Sequence, residues 1–163
     1  MPEGLETTPA QTLNRRLAAA TLRLLGVPET AVRQGLKATL PARAERFVVE
    51  GREVILDGAH NPDAARALLG QLRPPFTLLF GALPKKLGGE TLAVLLPYAA
   101  QVVLTDAAPG QTSALGRPGL AFVPEPEAAL EKALALTAPG QQLVVAGSFY
   151  LAGRLRGVLE RSR

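Results

Sequence analysis

From residue 46 onward, short apolar runs alternate with stretches whose apolar residues recur every three or four positions, and this alternation constrains the fold more than any other feature. Phe47-Val48-Val49-Glu50 and Glu53-Val54-Ile55-Leu56 flank Gly51-Arg52 and read as a short hairpin, or as a strand entering a sheet. Pro62 stands where a first helical turn tolerates proline, and Ala64, Ala65, Leu68, Leu69 and Leu72 keep helical spacing until Arg73-Pro74-Pro75 stops them. Phe76 to Phe80 is a second apolar run, closed by Gly81. It is followed by a predicted helix over Thr91 to Leu96, ending near Pro97, and a strand from Gln101 to Thr105. Asp106 to Pro126 is rich in Pro, Gly and small residues and predicts loop, with one short strand around Ala121-Phe122-Val123. Leu130, Ala133, Leu134 and Thr137 mark the next helix, and Gln142 to Ala146 a last buried strand. The final helix has Leu151, Leu155, Val158 and Leu159 on its apolar face.

Apolar strands that alternate with amphipathic helices imply a parallel sheet, because parallel strands need crossovers and the crossovers bring helices onto both faces. The pattern therefore predicts an α/β domain, doubly wound and mostly parallel, over residues 41–163. Two helices precede it. Leu13, Leu17, Ala20 and Leu24 mark one, ending near Gly26, and the other runs from Glu29 to Ala38, so residues 1–40 form a helical appendage. A length of 163 residues accommodates one such core and a small addition.

Composition narrows the function. The net charge of +4 is modest, and its Lys and Arg residues are scattered without interleaved aromatics, which argues against a nucleic-acid partner. No apolar run approaches the roughly 18 residues that span a bilayer. Residues 1–4 carry no secretory pattern and cysteine is absent, so a cytoplasmic setting is expected, without disulfides or thiolate metal sites.

In open α/β sheets ligands bind beyond the carboxyl ends of strands, where helix N-termini present free N–H groups. Two stretches put polar side chains there: Asp57-Gly58-Ala59-His60-Asn61-Pro62, which contains the only histidine, and Gly147-Ser148. Gly58 permits a tight turn, Asn61 is a plausible helix cap, and Ser148 can cap the last helix. Position alone leaves Asp57 and His60 open to a structural or a functional role. No nucleophile elbow is present, since Gly147-Ser148 is followed by Phe149-Tyr150, and no second histidine exists to complete a relay or a metal site. Neither G-x-x-x-x-G-K-[ST] nor G-x-G-x-x-G occurs, and Lys85-Lys86 within Leu83 to Gly89 reads as a solvated loop.

VILDGAHNPDAARAL resembles the start of the C-terminal domain of folylpolyglutamate synthase/dihydrofolate synthase in the Mur ligase superfamily. Cell-wall Mur ligases tend to write D-Y-A-H there. Phe80-Gly81-Ala82-Leu83, Val102 to Thr105 and Val145-Ala146-Gly147-Ser148-Phe149-Tyr150-Leu151 fall in the family's order. Gln11 to Asn14 resembles the last helices of the central ATPase domain, and Val32 to Arg43 resembles the linker ending in a Leu-Pro-Gly-Arg-like motif, with Ala42 in place of glycine.

The resemblance implies a Rossmann-like fold and an ATP-dependent ligase, in which a folate or dihydropteroate carboxylate is phosphorylated and L-glutamate's amine displaces phosphate. It implies ATP contacts from Asn14, Arg43 and Asp57, a catalytic and substrate-binding role for His60, and a substrate contact from Ser148. Mg²⁺ ligands and the phosphate loop are expected in an upstream ATPase domain, no metal is expected on this chain, and the chain is expected to be monomeric and inactive alone. Asp57→Ala is expected to leave the fold intact. Two departures stand out: Lys85-Lys86-Leu87 where the family has Asp-Lys-Asp, and no Pro-Arg element at Pro109 to Thr112. The alternatives are a cell-wall amino-acid ligase domain or a non-catalytic nucleotide-binding module.

Overall fold

A computed structural model describes residues 9–38, 40–83, 87–107 and 119–162. Lys85 and Lys86, and the Pro109 to Thr112 stretch, lie outside the described residues. The chain packs as two compact units, residues 1–40 and 41–163. In the first, α1 (Pro9–Leu24) packs on α2 (Glu29–Gly35). Arg23 donates through Nε and Nη2 to the two carboxylate oxygens of Glu29, each at 2.8 Å.

The second unit holds a six-stranded sheet of β1 (Glu45–Val49), β2 (Arg52–Leu56), β3 (Phe76–Phe80), β4 (Ala99–Leu104), β5 (Ala121–Phe122) and β6 (Gln142–Ala146), in the spatial order β1-β2-β6-β3-β4-β5. Among the described residues only the β1–β2 pair is antiparallel, and the four other pairings are parallel. The helices are α3 (Pro62–Leu69), α4 (Gly88–Leu95), α5 (Pro126–Leu136) and α6 (Phe149–Arg161). A short 3₁₀ turn, Leu96–Tyr98, carries the chain into β4 around Pro97. This is the doubly wound α/β architecture that the periodicity predicts.

Two-residue alternation along the strands sorts the core into two layers. Val54, Leu56, Leu79, Val103, Leu143 and Val145 face α5 and α6 and pack on Ala129, Ala133, Leu151 and Leu155. Ile55, Leu78, Phe80, Leu104, Val144 and Ala146 face α3 and α4 and pack on Ala65, Leu68, Leu92 and Leu95. Every residue of β3 and β6 is buried, as expected for central parallel strands covered on both faces.

The β1–β2 turn lies one residue earlier than the pattern suggests, at Glu50-Gly51. Both residues have positive φ, 49° and 74°, as a two-residue hairpin that follows strand twist requires. Glycine takes this conformation without cost, whereas glutamate is strained there. Asparagine tolerates the left-handed region, and Glu50 offers only an exposed 3.4 Å contact to Arg52 in compensation. Glu50→Asn is therefore expected to stabilise the chain by about 0.5 kcal/mol in urea denaturation; a decrease would mean that the ion pair outweighs the strain.

Candidate functional site

β2 and β6 are neighbours, yet the helices that follow them leave on opposite faces, α3 on one and α6 on the other. Two diverging helix N-termini open a crevice at the carboxyl ends of the strands, the place where sheets of this kind bind ligands. A cavity of about 210 Å³ lies here, lined by His60, Leu83, Gly147, Ser148, Phe149 and Tyr150.

Asp57 follows β2 directly and is 7% exposed. Its Oδ2 accepts the backbone N–H of Ala44 at 2.8 Å, and its Oδ1 accepts that of Ala59 at 2.7 Å. The N–H of Gly58 donates to the carbonyl of Ala42 at 2.9 Å, so this carboxylate and its turn fasten the loop before β1 to the loop after β2. Ala42 and Ala44, on either side of Arg43, take positive φ values of 55° and 48°, a strained path for alanine that the Asp57 clasp maintains. Burial raises the Asp57 pKa, against the opposing pull of the two N–H groups and the charges of Arg43 and His60. These contacts weigh against the expectation that Asp57→Ala leaves the fold intact, since the substitution would leave two buried donors without acceptors.

His60 Nδ1 lies 2.9 Å from the carbonyl oxygen of Gly58. A carbonyl can only accept, so Nδ1 carries the proton and Nε2 is left to interact with a ligand. Asn61 caps α3 by accepting from the N–H of Ala64 at 2.8 Å, with Pro62 at the first helical position. Ser148 is buried and caps α6; its Oγ accepts from the N–H of Tyr150 at 3.1 Å and keeps its own proton to donate. Gly147, with φ 110°, donates its N–H to the carbonyl of Ala59 at 2.8 Å and ties the two rims together.

Arg43, Asp57, His60 and Ser148 thus come together on one rim, while Asn14 is an exposed residue of α1 in the helical unit. No group of three or more His, Cys, Asp or Glu among the described residues is arranged to hold a metal ion. Sequence reasoning missed Phe149. Its ring lies 4.7 Å from the Arg43 guanidinium and 5.6 Å from the His60 ring, and a Cβ on Gly58 would fall 2.3 Å from it. The available signal was an aromatic beside a helix-capping serine, paired with a glycine in the facing turn.

This sheet, with a polar rim at its switch point, is an open α/β domain of the kind that binds ligands at the carboxyl ends of its strands. Residues 42–149 match the model of the Mur ligase family's glutamate ligase domain, and the chain belongs to that family. The folylpolyglutamate synthase of Lacticaseibacillus casei is 33% identical over 138 residues, which cover 78% of this chain and 32% of that protein. Among solved structures, Escherichia coli FolC in complex with DHPP and ADP matches with a TM-score of 0.73 at 29% identity, over 91% of this chain and 39% of that one. A bifunctional folylpolyglutamate synthase/dihydrofolate synthase with Mn, AMPPNP and L-glutamate bound gives 0.67 at 29% identity, over 82% and 35%. The chain is a folylpolyglutamate synthase-like C-terminal domain, and it spans about a third of the length of these relatives. No helix among its described residues is long and apolar enough to cross a membrane.

Proposed function

We propose that this chain serves as the C-terminal domain of an ATP-dependent folate–glutamate ligase, acting on folate or dihydropteroate and L-glutamate and presenting Arg43, His60 and Ser148 to a site completed by an upstream ATPase domain. The observation that carries this reading is Arg43, an exposed guanidinium on the rim that makes no ion pair among the described residues. Its in-plane donors suit the phosphate oxygens of ATP. Asp57 acts through Arg43 by holding the loop that carries it. His60, whose Nδ1 is engaged by the Gly58 carbonyl, and Ser148 line the cavity where the carboxyl phosphate and the incoming amine would meet. Asn14, on α1, supplies a further nucleotide contact once that domain is in place. Mg²⁺ ligands and the phosphate loop come from the upstream domain, and the helices of residues 1–40 are the end of that domain and its linker.

Gly58 supports the folate branch over the cell-wall branch: the D-Y-A-H spelling would place a tyrosine where the Phe149 ring packs. Closure of one domain on another would shield an acyl phosphate from water.

The full-length ligase carrying this domain should turn over ATP, folate or dihydropteroate, and L-glutamate. Arg43→Ala should cost it roughly ten- to a hundredfold in kcat/KM for ATP, the worth of one or two charge-assisted hydrogen bonds. The 163-residue chain alone should release no folate-dependent phosphate; release from it, or an unchanged kcat/KM in Arg43→Ala, would refute the assignment.

A further inference from the structure

Arg43 is held differently from the paired arginines of its domain. Arg154 and Arg156, both partly buried, are held by carboxylates, the first by Glu125 and Glu127 and the second by Glu45 and Glu160. Arg43 instead has its guanidinium over the ring of Phe149, 4.7 Å from the centroid, with no carboxylate paired to it among the described residues. The two kinds of seat differ chemically. A carboxylate consumes the in-plane N–H donors and cancels the charge, whereas an aromatic face engages only the π surface and leaves both for a ligand.

The ring is itself held at three points. Phe149 is the first residue of α6, fixed by the Ser148 cap beside it. The ring lies so close to Gly58 that a Cβ there would sit 2.3 Å from its Cδ1 and Cε1. Its third contact is the His60 imidazole, at 5.6 Å between centroids and tilted by 56°. Arg43 comes from the loop before β1, Gly58 and His60 from the loop after β2, and Phe149 from the turn after β6, so one ring joins all three segments of the rim.

We propose that Phe149 is a positioning residue, an aromatic seat that orients the Arg43 guanidinium toward a polyphosphate without occupying its donors. This deepens the nucleotide reading and rests on it. Gly58 then has a steric purpose, since it makes room for the seat.

The test reads the Arg43 resonance in the 163-residue chain and ATP binding in the full-length ligase that carries this domain, with three variants. Phe149→Leu keeps an apolar side chain and removes the π face, Phe149→Trp keeps the face, and Arg43→Ala removes the guanidinium. The Arg43 Nε–Hε resonance should show an upfield ring-current shift in the wild type, lose it in Phe149→Leu and keep it in Phe149→Trp. Phe149→Leu should weaken ATP binding by about three- to fivefold while Phe149→Trp matches wild type, on the scale of one exposed cation–π contact. Retention of the upfield shift in Phe149→Leu, or wild-type ATP affinity in that variant where Arg43→Ala has lost it, would overturn the seat. If Arg43→Ala binds ATP as wild type does, the nucleotide reading fails instead, and the resonance shift still decides whether Phe149 holds the guanidinium.

Discussion

Asp57→Ala is expected to lower the unfolding free energy by about 2–4 kcal/mol, measured by urea denaturation of the 163-residue chain. The backbone N–H groups of Ala44 and Ala59 both end on this carboxylate, at 2.8 and 2.7 Å, and both residues are buried. Each donor left unsatisfied costs about 1–3 kcal/mol, partly offset because burial of the charged carboxylate is itself unfavourable. Asp57→Asn, which keeps one acceptor oxygen, should fall between wild type and Asp57→Ala. The pH dependence separates the two contributions. Burial raises the folded-state pKa above the ordinary 3.8, so the folded chain binds this proton more readily than the unfolded chain does. Stability from this group is therefore fully present below the ordinary value and lost as pH rises through the raised one. Over that window the wild type should lose stability with rising pH relative to Asp57→Asn, which has no such ionisation. A wild-type-like midpoint in Asp57→Ala would show that the loop of residues 42–44 is held by other means.

The sheet was legible because its signal is redundant. β3 and β6 are continuous apolar runs, and a central strand covered on both faces has no alternative composition. The α3 boundary was legible as well, because Asn61 and Pro62 carry the chemistry of a helix start. The hairpin turn was displaced by one residue because Glu50 lacks the composition of its conformation. At the site, the strand ends identify Asp57, His60 and Ser148 as rim residues with local partners in Ala59, Gly58 and Tyr150, but two further contacts cross between segments. The Asp57–Ala44 bond spans thirteen residues and the Arg43–Phe149 contact joins the loop before β1 to the turn after β6. Spacing along one chain reports neighbours on the same element, whereas the Asp57–Ala44 bond extends the β1–β2 pairing and the Arg43–Phe149 contact depends on β6 lying beside β2. Position in the sequence leaves Asp57 open to a structural or a functional role, and its bonds to the backbone of Ala44 and Ala59 become visible only in the structure.

Gly147→Ala should be about as damaging as Asp57→Ala, for a different reason. A Cβ at this position would lie 2.5 Å from the carbonyl oxygen of Gly81 and 2.9 Å from its carbon, both backbone atoms with no rotamer by which to withdraw. The φ of 110° adds the strain that alanine carries in this region. Overpacking and strain together predict a loss of about 3 kcal/mol, or roughly 10 °C in Tm by calorimetry. The damage also falls on the site. Gly147 donates to Ala59 and Gly81 donates to Ala146, so moving this turn loosens the bonds that keep the His60 loop and the Ser148 cap on a common rim. Gly153→Ala, four residues into the exposed side of α6, is the control: nothing lies within 4 Å of its Cβ position, and helix propensity predicts a gain of about 0.5–1 kcal/mol. If both substitutions stabilised the chain, the close passage of Gly147 over Gly81 would not be part of the folded state. If Gly147→Ala alone is destabilising, the same contact that limits side-chain size at this turn also sets the width of the crevice.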